Sequence, residues 1–203
     1  EAFRYADEGE LCALYRSLQF LPGPDRFVWR AGEGCRTNMM SVFEANGCDT
    51  AFPVTHFDDI AWRQLCVKAL FIGAPLWRVS GFDGRVDAEL GRMALDLVEE
   101  RRAAGRAISP ELWLCLKGEP DERALRALED ELAGEDELSS RGAALALGRL
   151  GRHDRLRELA SSAKGPLLET IQLAITDHHD QAAFGAVSIP EGATPTTPTA
   201  TAD

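Results

Sequence analysis

The run Asp58-Asp-Ile-Ala-Trp-Arg-Gln-Leu-Cys-Val-Lys-Ala-Leu-Phe-Ile-Gly73 reads as a helix from end to end. Asp58, or Thr55 before it, supplies an N-cap oxygen for the free amides of the first turn. Ile60, Leu65, Val67, Ala69, Leu70 and Phe71 give it apolar faces, and Gly73 suits the left-handed residue that closes a helix. The same three- and four-residue spacing recurs on both sides. Leu11, Leu14, Tyr15 and Leu18 form one stripe before Leu21-Pro-Gly-Pro24 ends it. A short helix is expected around Asn38–Glu44. Leu90, Met93, Ala94, Leu97 and Val98 line another, from about Asp87 to Ala104, and Ser109-Pro110 restarts the chain with a cap and a first-turn proline. Phe27-Val-Trp29 is too brief to establish a strand. The stretch from Gly73 to Gly84 reads as a loop rich in glycine and aromatic residues.

From residue 120 the texture is Ala/Leu-rich. Helices are expected over 120–133, 137–150, 153–163 and 166–184, separated by two or three residues. Ser140-Arg-Gly-Ala-Ala-Leu-Ala-Leu-Gly-Arg-Leu-Gly151 looks like the inner helix of a HEAT-type repeat, its alanines permitting close packing. Beyond residue 186 the Pro/Thr-rich end has little to bury and is expected to be a flexible tail. The fold class is all-α. Residues 1–118 form a helical body, 119–185 a HEAT-like layer of helical hairpins packed on it, and 186–203 the tail.

The 203 residues carry 33 acidic and 22 basic side chains, a net charge of −11. Such a field repels phosphate, which argues against nucleic acid as a partner. No apolar run approaches the roughly 18 residues of a membrane span, and nothing near the start reads as a signal peptide. The five cysteines, Cys12, Cys35, Cys48, Cys66 and Cys115, are scattered and odd in number. They read as reduced thiols of a cytoplasmic protein rather than a disulfide framework or zinc site.

Phosphate loops, dinucleotide fingerprints and nucleophile elbows are absent from the sequence, and no cofactor is expected. His56 with Asp58 and Asp59 offers imidazole and carboxylates at the mouth of a helix. This suits weak divalent ligation by His56 and Asp58, or simple capping. Asp177-His-His-Asp180, placed on a helix, points its two histidines about 100° apart, so they cannot share an ion comfortably. His153 falls in an inter-helix turn. A third group is richer: Asn38, Trp62, Arg63, Lys68, Arg78, Asp83 and Arg85. Lys68 is one of three lysines and lies in the apolar run Cys66–Leu70, where a buried cation needs a partner such as Asp83 or Asp87. The group reads either as a salt-bridged loop clamped over helices or as a pocket for a polar or anionic small molecule.

Thr37–Glu44, His56-Phe-Asp58, Ala61–Leu65, Lys68–Leu76, Gly81–Arg85 and Ser109–Trp113, in that order, resemble the EboA family over roughly residues 20–116. Such proteins occur in bacterial gene clusters beside prenyltransferase-like, dehydroquinate-synthase-like and metal-dependent-hydrolase-like neighbours. The resemblance implies a part in making or exporting a specialised metabolite and, as partners, other proteins of the same cluster. It carries no catalytic residue over. The expected function is therefore a noncatalytic helical adaptor or metabolite-binding protein. The alternative is an enzyme or metal-dependent accessory built on a pocket around His56, Lys68, Asp83 and Arg85.

Overall fold

The computed structural model describes residues 2–188, and every regular element among them is helical. The front half runs α1 (Ala2–Tyr5), α2 (Glu8–Ser17), α3 (Val28–Gly34), α4 (Met40–Gly47), α5 (Phe52–His56), α6 (Asp59–Ile72), α7 (Phe82–Arg85) and α8 (Ala88–Ala103). A 3₁₀ segment, Pro110–Cys115, leads into α9 (Glu122–Leu132), α10 (Glu137–Arg149), α11 (His153–Ala160), α12 (Gly165–Ile175) and α13 (Gln181–Ser188). The all-α reading holds.

Local chemistry sets the helix ends. The side chains of Asp58, Asp87 and Asp121 accept the backbone N–H of Ala61, Leu90 and Ala124, and so cap α6, α8 and α9. Gly73 closes α6 at φ 78°. Three elements differ from expectation. Val28–Gly34 is helical, Phe52–His56 is a single helical turn, and α7 overlaps the end of the expected Gly73–Gly84 loop. Each is shorter than two turns or nearly so, too short for an apolar period to register.

The difference that matters most lies near the end. The expected helix over 166–184 is broken into α12 and α13, because Asp177 turns into the left-handed region at φ 62°. Asp177, His178, His179 and Asp180 therefore occupy a connection rather than a helix. Ala186–Ser188 complete α13, with Val187 buried, so only residues 189–203 of the expected tail lie outside the described residues.

One continuous core runs from Tyr15 to Val187. Trp62, Phe43, Phe52 and Phe82 fill its front part, while Leu112, Trp113, Leu114 and Cys115 lie at 1% exposure or less between the two halves. Helix α10 is the hub of the C-terminal half: it packs on α9, α12, α13 and the Pro110–Cys115 segment, and α11 packs on α12. Its glycine at 142 permits this approach, since a Cβ there would lie 2.7 Å from Pro110 Cβ. Each large apolar side chain so enclosed contributes about 1.5–3 kcal/mol. No helix among the described residues is long and apolar enough to cross a membrane.

Candidate functional site

Most of the charged residues singled out in the sequence are engaged with internal partners. Arg63 grips Asp87 with two nitrogens, Nε lying 3.0 Å from Oδ2, and these bonds hold the Asp87 carboxyl below its ordinary range. Arg78 bridges Glu44, at 2.9 Å, and Asp49. Arg85 donates to the Phe57 carbonyl and to Asp59 Oδ1, both at 2.9 Å, while its guanidinium lies 4.7 Å from the centre of the Trp62 ring. Trp62 itself is 1% exposed and belongs to the core.

Asp83 faces the other half of the molecule. Its Oδ1 lies 2.8 Å from Arg149 Nη1 as an ion pair, and its Oδ2 accepts the Gln181 N–H. Gln181 also donates to the carbonyls of Trp77 and Val79. This knot fastens α7 to α10 and α13. The salt-bridged clamp describes Arg63, Arg78, Asp83 and Arg85.

His56 and Asp58 serve local ends. His56 stacks against Phe52 with ring centres 4.8 Å apart, and its Nδ1 lies 3.7 Å from exposed Asp25. Asp58 is an N-cap. Among the described residues these two join no cluster of three metal donors. The donors that do converge are His153, Asp177 and His179, in the C-terminal half. The residues could not be combined from the sequence, because a helix through 166–184 would have kept them apart.

Lys68 stands differently. It lines a groove of about 550 Å³ between α3 and α6, with Val28, Trp29, Gly32, Phe57 and Gln64 among the walls. Its Nζ donates to Asn38 Oδ1 at 2.7 Å and lies 5.9 Å from the Phe71 ring centre. No carboxylate among the described residues comes within 4.0 Å of it. The other charges of the groove, Glu33 and Arg36, neutralise each other at 2.6 Å. One ammonium thus remains without a carboxylate partner on a wall that also carries Trp29, Val28, Phe57, Ala61 and the polar Gln64. His56, Asp83 and Arg85 do not line this groove.

The other hollows offer less chemistry. The cleft of about 330 Å³ between α8 and α9 is lined by Arg102, Arg123 and Arg126, each already paired with carboxylates. The hollow against α1 and α2 carries Glu10 as its one charged side chain.

Of the thiols, only Cys35 lines the Lys68 groove. All five cysteines are free, and four are buried. Burial pushes Cys35 and Cys48 up to about 12 and raises Cys66 and Cys115 as well, so they pack as small apolar groups.

Comparison with known proteins bears on the same half of the chain. No curated protein and no solved structure matches it. A family model described as "Metabolite traffic protein EboA" matches residues 1–117, which contain the Lys68 groove and more than half of the chain. The protein belongs to the EboA family.

Proposed function

We propose that this chain is a noncatalytic metabolite-binding protein. It holds a small amphipathic molecule in the groove between α3 and α6 and works beside other proteins of its gene cluster in the biosynthesis or export of a specialised metabolite. The observation that carries this reading is Lys68, an ammonium bonded only to a neutral amide on the wall of a half-apolar groove. An anionic or strongly polar group of the ligand sits against Lys68 and Asn38. Its apolar part lies on Trp29 and Phe57. A few placed polar groups on a hydrophobic wall are what a small-molecule site requires. The family description as a metabolite traffic protein supports the same reading.

Trp29 is 69% exposed on the rim and reports on occupancy. Titration with 1-naphthalenesulfonate, an aromatic ring with one anionic group, is expected to quench its emission saturably. Lys68→Met removes the charge and weakens binding about tenfold, the equivalent of about 1.4 kcal/mol for an exposed charge-assisted contact. Gly32→Leu fills the groove from a position whose added Cβ meets nothing within 4 Å, and abolishes the quench. Equal affinity in the parent and both variants contradicts the proposal.

A further inference from the structure

The connection between α12 and α13 returns to the start of α11 and brings together residues far apart in the chain. His153 is the first residue of α11, and Asp177 and His179 come from the connection. Asp177 Oδ1 lies 3.5 Å from His179 Nε2 and 3.8 Å from His153 Nε2, and the three donor atoms all fall within 4.8 Å of one another.

These separations are informative. An imidazole and a carboxylate that simply pair close to about 2.7–2.9 Å. Here both gaps are too long for a hydrogen bond. Around a tetrahedral ion with bonds of about 2.0–2.1 Å, adjacent donors stand about 3.3 Å apart. The two gaps to Asp177 exceed that by a few tenths of an ångström, and the imidazole donors lie within 4.8 Å of each other, distances that side-chain rotations can close. His153 Nε2 is also shut off from solvent and has no hydrogen-bond partner, although it points to the other donors. A buried ring nitrogen left unpaired is costly unless something occupies the space before it.

The surroundings hold the donors in place. A Cβ at residue 148 would lie 2.8 Å from His179 Cδ2 and 2.9 Å from the Ala174 carbonyl, so Gly148 makes room for the His179 ring. Arg149 Nη1 donates to the His179 carbonyl at 3.1 Å and fixes the backbone there. His178 turns away, its Nδ1 lying 2.8 Å from the Thr176 carbonyl. Only one of the adjacent histidines therefore faces the site.

We propose that His153, Asp177 and His179 bind one divalent transition ion of the zinc type, with a fourth position left to water. Two imidazoles and one carboxylate favour zinc and its neighbours over the oxygen-seeking magnesium and calcium. Bound there, the ion clips α11 to the connection that starts α13. Through Phe184 and Val187, α13 is anchored in the shared core.

The test uses the full chain, stripped with chelator and titrated with zinc sulfate against a chromogenic competitor. One zinc per chain is expected, together with a rise in Tm on loading. Asp177→Asn keeps a residue that tolerates the left-handed backbone, and His153→Gln keeps a similar volume. Both are expected to weaken zinc binding at least about tenfold, since even groups behind a ligand are worth that much. Their metal-free Tm should stay near that of the parent, and His178→Ala should bind as the parent does. No zinc retained by the parent overturns the proposal, as does equal binding by the Asp177 and His153 variants.

Discussion

Asp58, Asp87 and Asp121 each turn a carboxylate back on the free N–H groups of a first helical turn. Asp7 and Asp136 cap α2 and α10 in the same way. Asp58→Ala should cost about 1 kcal/mol, read as a lower Tm, while zinc binding at the distant His153 cluster stays unchanged. A loss of zinc binding in that variant would return Asp58 to the list of ligands. Glu111 gives a second test at this scale. It is buried at 7% exposure and accepts the Trp77 N–H, and burial pushes its carboxyl above the ordinary range. The folded state therefore holds the proton more tightly than the unfolded chain. This contribution to stability is present at acid pH and is lost as pH rises through the two pKa values. Glu111→Gln should accordingly gain Tm relative to the parent at pH 7, and the gain should shrink as pH falls toward about 5. A gain that grows on acidification contradicts the assignment.

Among elements, the helices whose bounds were most closely legible were those with a cap, a stop and at least three turns. Asp58 to Gly73 and Asp87 to Ala104 show all three, and α6 and α8 follow them closely. The break after α12 was illegible because it carries neither glycine nor proline; Asp177 adopts φ 62° by tertiary placement. That break creates the His153–Asp177–His179 cluster. Lys68 was legible as a cation out of place, but its partner was not. Asp87 is taken by Arg63 and Asp83 by Arg149, so the flexible lysine stem reaches Asn38 at the surface instead. Glycines test the packing of elements in opposite directions. Gly142→Ala would force a Cβ to 2.8 Å from Pro110 Cα, a backbone atom, and should destabilise by about 1–3 kcal/mol. Gly32→Ala meets open space within α3 and should stabilise by up to about 1 kcal/mol. Thermal melts of the two variants, with shifts of opposite sign, check the packing on both sides of the molecule.

The described residues share one core, although the family match covers residues 1–117. Trp113, Leu114 and Cys115 are fully buried because α10 and α13 cover them. Trp77 is close enough to α13 that a Cβ at Gly185 would lie 2.7 Å from its ring. The described residues should thus unfold in one cooperative transition. A chain ending at residue 117 should lose that cooperative melt, because it exposes the Leu112–Leu116 surface. An unchanged Tm for the shortened chain would show two independent units instead.

Whether the groove beside Lys68 carries a small molecule is read most sharply by native mass spectrometry. The parent and Lys68→Met proteins are purified side by side from the natural host, and each native mass is compared with its denatured mass. An organic adduct is expected on the parent, lost on denaturation and depleted in Lys68→Met, beyond any mass of metal ions. A parent chain without an organic adduct, or an adduct retained equally by Lys68→Met, would contradict binding in the groove.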